Sequence, residues 1–174
     1  MTCPSCGAPM RLEADRNYLL CDYCGSVYFP EPNADGVRVL GEASPLGCPV
    51  CQVPLAHASI GDHRMLYCTR CRGMLIPMDV FVAIVQDLRS HREGSVDAVR
   101  QPDWREMDRR IRCPQCNQTM ETHPYGGGGS VIIEDCENCS LNWLDYGELD
   151  TIVRAPDHDY LDQAWDLSRV RLES

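Results

Sequence analysis

Twelve cysteines, arranged as six C-x-x-C pairs, constrain the fold of this 174-residue chain more than any other feature. The pairs form three sets of two, in which 14, 16 and 19 residues separate the first pair from the second. Four-cysteine zinc sites have two C-x-x-C pairs separated by roughly 15–20 residues, and all three sets meet or nearly meet that pattern. We therefore predict that the metal ligands are Cys3, Cys6, Cys21, Cys24, Cys48, Cys51, Cys68, Cys71, Cys113, Cys116, Cys136 and Cys139.

Each set has the chemistry of a closed tetrahedral site. A proline follows the first cysteine at Pro4, Pro49 and Pro114, as expected where a tight turn aims two sulfurs at one ion. Four thiolates suit Zn2+, and we expect three zinc ions per chain. Rubredoxin-like iron is an alternative, because Cys6-Gly7 and Cys24-Gly25 fit it as well, and disulfides are a second one.

The remaining composition is poor in aliphatic residues. Leu, Ile, Val and Phe together number 37, which is little for one ordinary core. Structural zinc can supply the missing stability, because each ion contributes about 10–16 kcal/mol of apparent binding energy to folding. The predicted fold is a small metal-stabilised α+β chain of three tandem zinc ribbons built on β-hairpin knuckles, with short helices after ribbons 2 and 3 and a C-terminal helix.

Apolar residues recur at fixed distances from the cysteines. They stand seven residues after the first cysteine of each set, and again seven and eight residues after the third. We interpret them as a small separate core beside each metal. The positions are Met10, Leu55 and Met120, then Tyr28, Leu75 and Trp143, then Phe29, Ile76 and Leu144.

Helical periodicity and turn signals predict the domain boundaries. Apolar residues at i, i+3 and i+4 indicate short helices after ribbons 2 and 3, and Asp145 with Glu148 suits a capping box at the start of the second. Gly126 to Gly129 indicate a hairpin tip. We predict ribbon 1 with a linker over 1–45, ribbon 2 with its helix over 46–92, a charged linker helix over 93–112, and ribbon 3 with its helix and an acidic C-terminal helix over 113–174.

The third ribbon resembles the bacterial transcription factor IIB-type zinc-ribbon family. The resemblance rests on Cys113-Pro114-Gln115-Cys116, on Cys136-Glu137-Asn138-Cys139, and on Trp143-Leu144-Asp145-Tyr146-Gly147-Glu148-Leu149. Ribbon 2, with Arg72-Gly73-Met74-Leu75-Ile76-Pro77, resembles a diverged copy of the same family motif. Ribbon 1 resembles a generic zinc ribbon. The family often has two glycines where this chain has Ser140-Leu141. The resemblance implies the fold and zinc binding, and it connects the chain to transcription only through the family name.

Charge argues against general binding to DNA. The chain carries a net charge of −10: −3 over 1–45, +2 over 46–92, zero over 93–112 and −9 over 113–174. A duplex binder needs a basic face, because neutralisation of phosphates supplies most of the non-specific affinity. The best basic cluster lies in ribbon 2, and we expect it to pair with the acidic third ribbon or with a partner. Its members are Arg64, Arg70, Arg72, Arg89 and Arg92.

No pattern of catalytic residues is evident. The five histidines are scattered, no nucleotide-binding motif occurs, and a site with four cysteines has no open position for a water ligand. We therefore expect a non-enzymatic adaptor that binds protein partners, with Trp104 and Trp165 as anchors. The alternatives are a nucleic-acid-associated or transcription-related protein, and a rubredoxin-like or thiol-redox protein. With no apolar run of transmembrane length and no secretory signal, we expect the cytoplasm.

Overall fold

Ribbon 1 is a small structural unit with its own core. The computed structural model of the chain describes residues 1–13, 16–92, 103–125 and 131–156. The strands β1 (Arg11–Leu12), β2 (Leu19–Leu20) and β3 (Val27–Tyr28) form an antiparallel sheet in the order β1-β2-β3. The core beside this sheet is formed by the buried side chains of Cys3, Met10, Leu19 and Cys21.

Ribbons 2 and 3 together form one seven-stranded sheet, in the order β4-β5-β6-β7-β10-β9-β8. Within the described ranges, two α-helices and one 3-10 helix, Trp104–Asp108, accompany it. β4 (Arg38–Gly47) begins in the segment predicted as the linker of ribbon 1 and pairs with β5 of ribbon 2. The other ribbon 2 elements are β5 (Pro54–Ile60), β6 (His63–Tyr67), β7 (Met74–Pro77) and α1 (Met78–Ser90). The ribbon 3 elements are β8 (Glu121–Pro124), β9 (Ile132–Cys136), β10 (Leu141–Leu144) and α2 (Glu148–Arg154).

The two ribbons join through equivalent strands. β7 and β10 each follow the second knuckle of their ribbon, and they pair antiparallel with Leu75 opposite Trp143. Both of these residues lie seven positions after the third cysteine of their set. The flanking pairs, Asn142 with Ile76 and Leu144 with Met74, keep the same symmetry. The junction is therefore a local pseudo-two-fold axis through the Leu75–Trp143 pair.

The two faces of this shared sheet bury two clusters of side chains, and each cluster draws on both ribbons. On the helix face, Ile76, Phe81 and Ile84 of ribbon 2 pack with Leu144 and Ile152 of ribbon 3. On the metal face, the cysteines of both sites pack in one cluster around Leu55, Leu75, Met120 and Trp143. The expectation of a separate core beside each metal is therefore wrong for ribbons 2 and 3, because pairing of β7 with β10 brings their apolar faces together.

The two helix starts differ from each other. α1 begins directly after Pro77, whereas Gly147 caps α2 with a left-handed φ of 89°. The Glu148 carboxylate accepts a hydrogen bond from the Asp145 N–H at 2.7 Å, which is one arm of the predicted capping box. The other arm is absent among the described residues, because the Asp145 carboxylate instead accepts from Trp143 Nε1 at 3.0 Å.

The structure confirms the α+β class with three four-cysteine clusters and corrects two local expectations. Phe29 is 60% exposed rather than buried, because ribbon 1 continues into a turn instead of a helix that would cover it. In the described part of the predicted linker helix, 103–112, the structure has a five-residue 3-10 helix followed by extended backbone. Residues 93–102, the predicted hairpin tip at 126–129, and the predicted C-terminal helix with Trp165 lie outside the described residues.

Candidate metal centres

All six C-x-x-C pairs adopt a tight turn that ends in a left-handed residue. In five of them the N–H of that residue donates to the carbonyl of the first cysteine at 2.8–3.0 Å, as Gly7 does to Cys3. Ribbon 1 places glycines at these positions, and ribbons 2 and 3 hold other residues there at φ of 52–65°. The six residues are Gly7, Gly25, Gln52, Arg72, Asn117 and Ser140.

The turns bring the twelve cysteines together as three clusters of four sulfurs. Within each cluster all Sγ atoms lie within 4.8 Å of one another. The Sγ–Sγ distances include 3.6 Å for Cys3–Cys24, 3.7 Å for Cys48–Cys71 and 3.6 Å for Cys116–Cys136. Tetrahedral zinc with Zn–S bonds of about 2.3 Å requires sulfurs about 3.8 Å apart, so the donor set and its size fit the ion. None of the twelve cysteines forms a disulfide in the structure, which counts against the disulfide alternative.

Hydrogen bonds favour the thiolate form of one cysteine in ribbon 1 and one in ribbon 3. The hydroxyl of Ser26, with Oγ 3.1 Å from Cys24 Sγ, lowers the pKa of Cys24 to about 6. A backbone hydrogen bond with Gln118 lowers the pKa of Cys116 to about 7. In the same two clusters the pKa of Cys6 and that of Cys139 are raised to about 12, so a bound cation must displace the protons of these sulfurs.

The three clusters differ in solvent access. Each keeps two cysteines buried, one from each knuckle. The other two are exposed in ribbon 1, where they are Cys6 and Cys24, and only half-buried in ribbons 2 and 3. The shared core of ribbons 2 and 3 causes this difference, since it covers one side of both clusters.

A glycine next to one cluster accommodates a tryptophan from the other ribbon. Gly73 lies two residues after Cys71, and a Cβ there would stand 2.3 Å from Cζ2 of Trp143. Trp143 is fully buried, and its indole N–H donates to Asp145. Sequence reasoning identified Trp143 as a core residue and missed Gly73. The signal available in the sequence was a glycine close to a cysteine. The left-handed position of the knuckle belongs to Arg72, so the glycine is not explained by the turn.

Asp145 lies among other acidic side chains and contacts one arginine. The Arg109 guanidinium contacts Asp145 and lies 3.4 Å from the Glu134 carboxylate, which is almost fully buried. Burial raises the pKa of Glu134 to about 7 and that of Glu148 to about 8. This group joins the residues before ribbon 3 to its sheet and to the start of α2.

The basic cluster of ribbon 2 is largely occupied by contacts within the protein. Arg64 donates to the Asn17 carboxamide at 3.1 Å and to the Glu13 carbonyl at 2.8 Å in ribbon 1. Arg72 pairs with Asp35, and its guanidinium lies 3.9 Å from the ring centroid of Tyr146. Two further arginines donate to carbonyls at the end of α2: Arg89 to Ile152, and Arg92 to Val153 and Ala155, at 2.8–3.1 Å.

The histidines do not extend the metal sites. Over residues 1–13, 16–92, 103–125 and 131–156, no His, Asp or Glu joins a metal-binding group with the cysteines. His123 instead pairs with Asp135, with Nε2 and Oδ1 2.6 Å apart. None of the described helices has the length and apolar character needed to span a bilayer.

Fold and sulfur geometry together define a zinc-ribbon protein, and one comparison finds a family to which part of the chain is similar. Residues 112–155 match the model of the transcription factor zinc-finger family of the TFIIB type, so this segment is similar to a TFIIB-type zinc ribbon. The matched residues include the third cysteine cluster. Ribbons 1 and 2 are defined by their structural clusters alone. Neither the curated proteins nor the solved structures give a match to the chain.

Proposed function

We propose that the protein is a non-enzymatic adaptor whose zinc ribbons present a binding surface to a partner protein. Trp104 carries this proposal, since it is 60% exposed on a short 3-10 helix, where the Glu106 N–H donates to the Asp103 carbonyl at 3.0 Å. The Asp103 carboxylate accepts from the Arg105 N–H at 3.1 Å, and the Thr122 hydroxyl donates to the Arg109 carbonyl at 3.0 Å. An exposed indole on a hydrogen-bonded turn is suited to anchor a partner.

Charge suggests the chemistry of the partner. Residues 113–174 carry −9, and four thiolates on one Zn2+ add −2 at each site. We therefore expect a partner that offers an apolar pocket for the indole with basic residues around it. We further propose three zinc ions per chain, bound by the twelve cysteines, and a reducing compartment such as the cytoplasm, because the sites require free thiols.

Affinity purification of the tagged full chain tests the adaptor. Trp104→Ala and Trp165→Ala should each reduce recovery of the partner, and Val82→Ala, which truncates an exposed side chain on α1, serves as the matched control. The captured protein is then purified, and its affinity for wild type and Trp104→Ala is measured by calorimetry. Equal affinity for both proteins would count against the proposal, as would the recovery of no specific partner.

A second candidate function is binding to single-stranded nucleic acid. The family match points to it weakly, and so does a shallow cavity of about 680 Å³ between ribbons 1 and 2. Arginines beside aromatic rings can hold phosphates and stack bases. The cavity is lined by Arg16, Asn17, Tyr18, Phe29, Arg38, Asp62 and Arg64. Salt-sensitive binding of a labelled oligonucleotide that Arg38→Gln weakens would favour this function over the adaptor.

The rubredoxin-like alternative has a spectroscopic test. Zinc is colourless, whereas iron bound by four thiolates absorbs in the visible region. Three equivalents of zinc and no visible absorbance would support the proposed metal, and a visible spectrum with stoichiometric iron would replace it with an electron-transfer function.

A further inference from the structure

The third strand of each ribbon has an outer edge, and ribbon 1 differs in how that edge is used. In ribbons 2 and 3, β7 and β10 pair with each other along these edges. In ribbon 1, β3 pairs with β2 on one side, and no described strand pairs with its other side. Exposed strand edges carry unpaired N–H and C=O groups that readily accept another strand.

The internal junction shows how two such edges fit together. Counting from the third cysteine of each set, position 7 faces position 7, as Leu75 and Trp143 do, and position 6 faces position 8. The Met78 N–H donates to the Ser140 carbonyl at 3.0 Å and extends the pairing to position 10 against position 4. The register is thus self-complementary, so two identical edges satisfy it as well as two related ones.

The edge of ribbon 1 has the residues that this register needs. Positions 6, 7 and 8 are Val27, Tyr28 and Phe29, all of which are apolar or aromatic. Pro30 stands at position 9, where ribbon 2 has Pro77 opposite Leu141, so a proline there is compatible with the pairing. Val27 and Phe29 are 47% and 60% exposed, whereas their equivalents in ribbon 2, Met74 and Ile76, are buried.

The Phe29 side chain is held in position for such a contact. Its ring packs edge-on against the ring of Tyr18, the residue before β2, and the ring centroids are 5.4 Å apart. In a two-fold pair of β3 strands, each Phe29 would face Val27 of the other copy, and the two Tyr28 side chains would face each other. Cross-strand pairs between aromatic and β-branched residues are among those that stabilise sheets.

We propose that β3 of ribbon 1 is a self-association edge, which pairs antiparallel with β3 of a second copy of this chain in the register of the β7–β10 junction. The partner strand comes from a second copy because β7 and β10 already pair with each other. The matching edge is therefore β3 in ribbon 1 of another chain. The proposal does not depend on the adaptor function.

The edge of β3 is short, so we expect self-association to be weak. Four residues on each side bury less than the roughly 1,200 Å² of a stable interface, so we expect a weak dimer with a dissociation constant on the order of 10–100 µM. The net charge of −10 opposes association at low ionic strength. Physiological salt should therefore strengthen the dimer, because the Debye length falls to about 8 Å.

The test uses sedimentation equilibrium of the zinc-loaded full chain from about 10 to 300 µM, a range that spans the expected constant. Val27→Lys and Phe29→Glu should each weaken self-association about tenfold or more, because each places a charge opposite an apolar side chain. Val82→Lys, an equivalent change at an exposed site on α1, should leave it unchanged. Zinc content and circular dichroism confirm that each variant is folded.

Mixing the two variants tests the register. In a mixed pair, the ammonium introduced by Val27→Lys in one chain would face the carboxylate introduced by Phe29→Glu in the other. In the other cross-strand pair of this dimer, the unchanged Phe29 of the first chain would still face the unchanged Val27 of the second. We expect the mixture to recover heterodimers with at least the affinity of the wild type. A wild type that stays monomeric to about 300 µM would overturn the proposal, as would wild-type self-association that neither variant weakens or a mixture with no heterodimer.

Discussion

Trp143 of ribbon 3 occupies the space that a side chain at Gly73 of ribbon 2 would need. The indole ring is fully buried and donates its N–H to Asp145, and Leu75 faces it across the β7–β10 junction. Because tryptophan cannot shift without losing these contacts, the glycine is a requirement of the junction between ribbons. Its conformational freedom is not the reason, since the left-handed position of the knuckle belongs to Arg72.

Substitution of Gly73 should therefore destabilise the junction. A Cβ 2.3 Å from Trp143 Cζ2 forces the ring or the knuckle to move, and we expect Gly73→Ala to lower the free energy of unfolding by about 1–3 kcal/mol. Urea denaturation of the zinc-loaded protein measures the change. Gly47→Ala is the control, because the nearest heavy atom to its Cβ is 4.0 Å away, and equal losses in both variants would contradict the steric account.

The two linked ribbons should unfold together, and ribbon 1 should unfold separately. Cys136→Ser removes a ligand of the metal site in ribbon 3. The loss of a structural zinc lowers the folding free energy available to the ribbon by about 10 kcal/mol or more. Because β7 pairs with β10, this change should also increase amide hydrogen exchange at Leu75 and Ile76 in ribbon 2. Cys21→Ser, the matched change in ribbon 1, should leave those amides protected. Unchanged protection of ribbon 2 in Cys136→Ser would show that the ribbons are independent.

With zinc in all three sites, as proposed, the ions should leave at different rates. Ribbon 1 exposes Cys6 and Cys24, whereas the corresponding cysteines of the other ribbons are half-buried in the shared cluster. We expect an excess of a coloured chelator to remove one ion in a fast phase and two at least about tenfold more slowly, since a buried ligand must be uncovered first. Cys24→Ser should abolish the fast phase alone. A single phase that accounts for all three ions would contradict the difference in access.

The Glu148 carboxyl should make stability depend on pH. Burial raises its pKa from 4.5 to about 8, so the native state holds the proton more tightly than the unfolded chain does. This contribution is complete below about pH 4.5 and is lost as the pH rises through about 8. Glu148→Gln keeps an acceptor for the Asp145 N–H and should be more stable than wild type by about 1 kcal/mol or more at pH 8, with a smaller difference at pH 6.

Protonation of the thiols also changes stability with pH, in the opposite direction, because acid weakens zinc binding. The difference between Glu148→Gln and wild type removes this common term. Asp79→Asn, an exposed change in the first turn of α1, is the control and should show a constant difference. A Glu148→Gln advantage that is the same at pH 6 and pH 8 would refute the role of this carboxyl.

Local spacing predicted the clusters, because a knuckle needs only two cysteines and the turn between them. The apolar repeats predicted burial of Leu75 and Trp143 for the same local reason. Their mutual pairing was beyond sequence reasoning, since it joins residues 68 positions apart and depends on which edges remain free after each hairpin forms. The strand β4 was likewise missed, because Gly41, Pro45 and Gly47 interrupt its alternation and its register shifts along β5.

The β7–β10 junction also has a consequence for synthesis of the chain on the ribosome. Ribbon 2 has all four of its cysteines by residue 71 and its third strand by Pro77, yet the strand that covers this edge begins only at Leu141. At about 5–20 residues per second, the edge waits roughly 3–13 s for its partner. During that interval, among the described strands, the nascent chain presents two open third-strand edges, those of β3 and β7, instead of the β3 edge alone. Neighbouring nascent chains on one polysome could then pair wrongly at β7, and early zinc binding by ribbon 2 would not prevent it.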